Sequence, residues 1–226
     1  MRLLLSLEVV QLSASPSRLL VMVLAPLLPL LLRLLGLLEE GLVFPAFVLA
    51  YQLLAMCLSP WGLVGVRGGW KLAWLTGAPG PLYQAAAAYL GILSAYAAAP
   101  VAAYLALTLV VLGEAISPSK ALFLASIGVL HQALGLLALS QLGSQQRGWA
   151  ALLTYQAVLV VFAAALLREG WTEAHAVLSP IFPSLAALSQ GLGDAAAYPT
   201  SALTLGVSAL LLYIFAHGLA TPRRIL

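Results

Sequence analysis

The chain has 226 residues, of which 63% are hydrophobic and 8% charged, with a formal net charge of +3 and a mean hydropathy of +1.05. That balance leaves too little polar surface for a water-soluble globule, and the continuous Leu, Ala and Val runs exclude an outer-membrane barrel, whose strands alternate apolar with polar residues. A single cysteine, Cys57, excludes an internal disulfide.

The first residues place Leu3, Leu4, Leu7, Val10 and Leu12 around Glu8 and Gln11. Glu8 and Gln11 interrupt the apolar run too early for a secretory signal, and the pattern predicts a short interfacial helix ending near Pro16. Six apolar stretches follow, at roughly 19–38, 42–63, 85–112, 121–143, 150–167 and 199–220. They are expected to form one transmembrane domain over residues 1–226, an all-α integral membrane protein with six transmembrane helices.

Between the second and third stretches, the run from Gly68 to Pro81 is helix-sized, bracketed by glycines and closed by Pro79 and Pro81. Trp70, Trp74 and Leu75 share one stripe of it, and Arg67 and Lys71 stand four apart. The third stretch is rich in alanine, which suits close helix packing, and Pro100 is expected to kink it. Near the centre of the fourth lie His131 and Gln132, polar groups that must find a partner in lipid. Gln156 in the fifth stretch and Gln141 nearer the fourth's end are candidate neighbours.

After the fifth stretch, the apolar run from Leu178 to Leu188 is too short to cross a bilayer, and Pro180 and Pro183 prevent a regular helix at its start. It is expected to dip into the membrane and return. A solvated loop suffices for His175, and interface solvation for His217.

Charges set the orientation. With the N-terminus in the cytoplasm, Arg2, Arg18, Arg67, Lys71, Arg147, Arg223 and Arg224 fall inside, against Arg33, Lys120 and Arg168 outside. Both termini and the segment after the second span are then cytoplasmic, and the short apolar run after the fifth is external. The guanidinium of Arg33 is expected to reach the external headgroups. The sequence pI of about 9.2 reflects cytoplasmic loops facing anionic lipid, so nucleic acid is not an expected partner.

This order of elements resembles the ABC-2 type exporter permeases: an interfacial N-terminal helix, six spans, a cytoplasmic helix after the second and a re-entrant segment between the fifth and sixth. Leu7-Glu8-Val9-Val10-Gln11 before a first span containing Pro26 and Pro29 is similar to the family's opening, and Gly69, Leu72, Leu75 and Pro79 match the spacing of its cytoplasmic helix. The chain carries Gly68 and Ala73 where family members often carry acidic residues. Length and loop placement are most similar to the CcmB-like branch, the haem-exporter permeases of cytochrome c maturation.

The resemblance implies a permease subunit in the bacterial cytoplasmic (inner) membrane, paired with a second copy or a paralogue and driven by separate ABC ATPase subunits. Arg67, Gly69, Trp70, Lys71, Leu72, Trp74 and Leu75 would then form the ATPase-coupling helix, with His131, Gln132 and Gln156 as candidate substrate path. ATP and magnesium would sit on the partner, since no G-x-x-x-x-G-K-[ST] run occurs here. No cofactor or metal is expected on this chain, and haem is the cargo that branch implies. No arrangement of nucleophile, base and acid supports an enzyme. Two other readings stand beside it: a secondary transporter, which would need coupling carboxylates inside its spans, and a structural subunit of a larger membrane complex.

Overall fold

A computed structural model describes residues 16–64, 82–113, 115–141, 145–170, 182, 184–185 and 194–220. Six helices occur among the described residues: α1 (Pro16–Leu34), α2 (Glu40–Val64), α3 (Leu82–Leu112), α4 (Pro118–Gln141), α5 (Gln145–Glu169) and α6 (Asp194–Ala220). No strand occurs among them. Four contain segments long and apolar enough to cross a membrane: Leu93–Leu112, Pro118–Ala138, Gln146–Leu166 and Tyr198–Phe215. The apolar segment Glu40–Met56 of α2 is shorter. These features indicate a helical membrane protein. The N-terminal interfacial segment and the whole of the 65–81 connection lie outside the described residues.

Local chemistry sets helix ends that apolar length misses. The expected first span ran to residue 38, but α1 stops at Leu34 because Gly36 takes a left-handed φ of 71°. Its N–H donates to the Arg33 carbonyl at 2.9 Å, and that of Leu37 to the Leu32 carbonyl at 2.9 Å. This is the Schellman pattern, which satisfies two terminal carbonyls and turns the chain whatever the hydrophobicity of the residues beyond. In the turn that follows, Arg33 pairs with Glu40 at 2.9 Å, so the guanidinium joins the end of α1 to the start of α2. The fourth helix begins at Pro118, earlier than residue 121. Ser117 caps it through its side-chain oxygen, 3.4 Å from the Lys120 nitrogen, and proline occupies the first position, where a missing N–H costs nothing. The third helix runs unbroken through Pro100.

The helix α4 is the centre of the bundle, packing against α2, α3, α5 and α6. In its apolar window 67% of residues are buried, against 28% in each of the other three spans. A helix packed against four neighbours must be thin where they approach closely, and Gly128 meets that need. Beside it lies the Tyr51 ring of α2, whose hydroxyl donates to the Ala97 carbonyl of α3 at 2.9 Å. Phe47 stacks on Tyr51 with centroids 5.5 Å apart and on Tyr104 at 3.6 Å, so an aromatic column ties α2 to α3 around that point.

Candidate functional site

Four of the buried polar side chains, Gln52, His131, Gln156 and Ser208, lie at similar depth. Counting from the end of the bundle where α2, α4 and α6 begin, Gln52, His131 and Ser208 are each about 18–21 Å along their helices at 1.5 Å per residue. Tyr155 and Gln156 lie about 20 Å from the C-terminal end of α5, which is the same end of the bundle.

Three of the buried hydroxyls need no outside partner. Thr108 donates to the Tyr104 carbonyl at 2.8 Å, Ser126 to that of Phe123 at 2.7 Å, and Ser208 to that of Thr204 at 2.7 Å. Each reaches back along its own helix, a bond only short side chains can make.

His131 is also provided for. Its Nδ1 lies 2.7 Å from the Ile127 carbonyl. A carbonyl only accepts, so in a neutral imidazole Nδ1 carries the proton and Nε2 is the acceptor. The Tyr155 hydroxyl stands 3.4 Å from Nε2, and the two rings meet edge to face at 5.8 Å. The histidine therefore holds α4 to α5, and the polar interhelical bond is long enough to be weak.

The glutamines are different. Gln132 donates to the Leu93 carbonyl of α3 at 3.3 Å, but its Oε1 has no partner. Among the described residues neither Nε2 nor Oε1 of Gln52 has one, and Gln52 is 0% exposed. The Oε1 of Gln156 and the hydroxyl of Ser184 are likewise buried without partners. Unpaired buried polar groups of this kind cost on the order of 1–3 kcal/mol each unless something binds them, which makes this region the candidate site.

Packing contacts fix which of these groups share a side. Tyr51 meets Gly128, while Met56 packs with Leu152, Ala138 and Tyr155. Moving along α2 from residue 51 to 56 thus advances along α4, so the two run parallel, and α5, returning from α4, runs antiparallel to both. Met56 opposite Leu152 then sets Gln52, one turn back, level with Gln156, one turn forward. The described residues after α5 reach this level through Tyr155. Phe182, Ser184 and Leu185 are buried, the Phe182 ring is 4.8 Å from Tyr155, and the Leu185 N–H donates to the Phe182 carbonyl at 2.9 Å.

Of the three residues expected along a path, His131 and Gln156 thus border the α4–α5 side, whereas Gln132 turns toward α3. Gln52, Tyr155 and Ser184 enter this candidate region without having been expected, and Tyr51 ties α2 to α3 instead. Gln52 carried the available signal, an amide within an otherwise apolar stretch. Arg67, Gly69, Trp70, Lys71, Leu72, Trp74 and Leu75 lie outside the described residues, as does His175. His217 is exposed near the end of α6. No group of three or more His, Cys, Asp or Glu that could hold a metal occurs among the described residues. Compared with protein-family models, curated proteins and solved structures, the chain matches none.

Proposed function

We propose that the chain is the permease subunit of an ABC-2 type exporter, crossing the bacterial cytoplasmic membrane six times with both termini inside. The observation that carries this reading is the contact of Phe182, which lies between α5 and α6 in sequence, with Tyr155. Phe182 packs on Tyr155, which is about 21 Å from the end of α5 at Glu169. Phe182 thus lies at mid-depth although α5 ends at Glu169, which a re-entrant segment would account for if α5 spans the membrane, and irregular backbone at that depth is tolerated where protein shelters it. The same organisation is what the family resemblance implies.

On this reading the helices and the re-entrant segment form the pathway, with the polar layer of His131, Gln156 and Gln52 along it. The energy comes from ATPase subunits that grip the cytoplasmic segment carrying Trp70, Lys71 and Trp74. A rigid lever there transmits their closure to α2 and α3. A second copy or paralogue completes the transporter, and cytochrome c maturation with haem as cargo is the narrowest form of the proposal.

The test is affinity purification from the native membrane in mild detergent. An ATPase subunit is expected to accompany the chain in equal amount, and Trp70→Ala with Trp74→Ala is expected to leave insertion intact while uncoupling ATP hydrolysis from transport. A chain that purifies alone and is indifferent to ATP overturns the proposal.

A further inference from the structure

We infer that Gln52, Gln156 and Ser184 form a binding site for an uncharged group bearing hydroxyls, at mid-depth between α2, α5 and the segment that returns after α5. The inference deepens the transport reading, resting on it for the site's role but not for the binding itself.

The first argument is the unmet hydrogen bonding. Among the described residues Gln52 is fully buried with both a donor and an acceptor unpartnered, the Gln156 Oε1 is unpartnered at the level set by the Met56–Leu152 packing, and the Ser184 Oγ is unpartnered two residues beyond Phe182, which meets Tyr155. The neighbouring hydroxyls of α3, α4 and α6 satisfy themselves within their own helices, and Tyr155 is engaged with His131. Apart from the Gln132 Oε1 on the α3 side, the vacant capacity among the described residues lies on one side of α4. It includes two amide oxygens and one hydroxyl as acceptors, with one amide nitrogen and the same hydroxyl as donors. An occupant must both give and receive hydrogen bonds.

The second argument is charge. The described ionic side chains, Arg33, Glu39, Glu40, Lys120, Arg147, Arg168 and Glu169, all lie at helix ends or in turns. None offers a counter-charge at the depth of Gln52. A cation placed there would leave the Gln52 amide nitrogen unmet with no carboxylate to neutralise it, and an anion would find no cationic side chain among those described. An anion would also leave the acceptors unmet. A hydroxyl gives and receives one bond at once and carries no charge, so polyols and hydroxylated headgroups fit and ions do not.

The test uses the full chain, with its ATPase where one accompanies it, in phosphatidylcholine nanodiscs. Equilibrium dialysis with radiolabelled glycerol and myo-inositol reads binding from water, and nanodiscs doped with diacylglycerol, read by native mass spectrometry, report a lipid hydroxyl. Choline and glutamate are the charged controls. Saturable binding of a neutral probe is expected, with solute or lipid named by the arm that responds. Gln52→Leu and Gln156→Leu should each weaken it about tenfold, the equivalent of one good hydrogen bond. Ser126→Ala, whose hydroxyl is satisfied elsewhere, should leave it unchanged.

Gln52→Leu should also melt no lower than the parent, because it removes an unpaired buried amide; if it fails to fold, Gln52→Met replaces it. Saturation by neither polyol nor diacylglycerol, saturation by a charged control, or unaltered binding in both glutamine variants overturns the inference. An ATPase that fails to copurify does not, so the two proposals fail separately.

Discussion

A methyl group added at Gly128 would meet the Tyr51 ring, with Cζ 2.5 Å away and the Ala97 Cβ at 3.1 Å. Tyr51 is fixed by Phe47 on one face and by its bond to Ala97, so it cannot swing aside freely. Gly128→Ala should therefore destabilise the bundle by about 1–3 kcal/mol, as overpacking does, measured by SDS titration in mixed micelles. The two tyrosines give a finer comparison. Tyr51→Phe loses a bond of 2.9 Å to a carbonyl, and Tyr155→Phe one of 3.4 Å to an imidazole. With membrane hydrogen bonds averaging about 0.6 kcal/mol, Tyr51→Phe should cost more in the same titration; an equal or reversed order would mean that the Tyr155–His131 contact is the stronger tie. At this scale the sequence is a partial guide. His131 and Gln132 announce themselves as polar residues in an apolar run, but adjacent helical positions point about 100° apart, and only the neighbours decide that one meets α5 and the other α3. Tyr51 and Tyr155 look like ordinary aromatic residues until the groups beside them are known.

Among the elements, the junction of α1 and α2 separates two kinds of stabilisation. Nothing lies within 4 Å of a Cβ built at Gly36, so Gly36→Ala meets only the backbone cost of its φ of 71°, roughly 1–2 kcal/mol. Gly36→Asn should recover part of it, since asparagine tolerates the left-handed region. Glu40→Gln breaks the pair with Arg33, but both side chains are well exposed, which limits the loss to at most about 1 kcal/mol. Unfolding at low and high salt distinguishes them: the Glu40→Gln penalty should shrink as salt screens the pair, and the Gly36→Ala penalty should not. The helices themselves were legible because about 20 apolar residues in a row have few alternatives to a spanning helix. Their ends were less so. Leu37 and Leu38 extend the apolar run past Gly36, yet termination is decided by one backbone conformation and two hydrogen bonds, to which hydropathy is blind.

For the whole molecule, the enclosure of α4 divides positions into two classes that look alike in sequence. Ala133 of α4 is 0% exposed, whereas Val110 of α3 is 80% exposed; both are small apolar residues in apolar helices. The bundle centre could not be read from the sequence because almost every span is apolar around its full circumference, leaving no polar face to mark the lipid side. Lipid tails are as apolar as leucine, so enlarging an outward residue changes little, whereas enlarging an inward one forces apart helices already in contact. Ala133→Leu should therefore cost about 1–3 kcal/mol, and Val110→Leu should stay within about 0.5 kcal/mol of the parent. Fluorescence-detected size exclusion after graded heating in detergent reads both as the temperature at which the monodisperse peak is lost. The same comparison reports on assembly: if a second copy covers the outer face of α3, Val110→Leu will not be silent, and its peak will shift toward the single-chain position while Ala133→Leu loses the peak altogether.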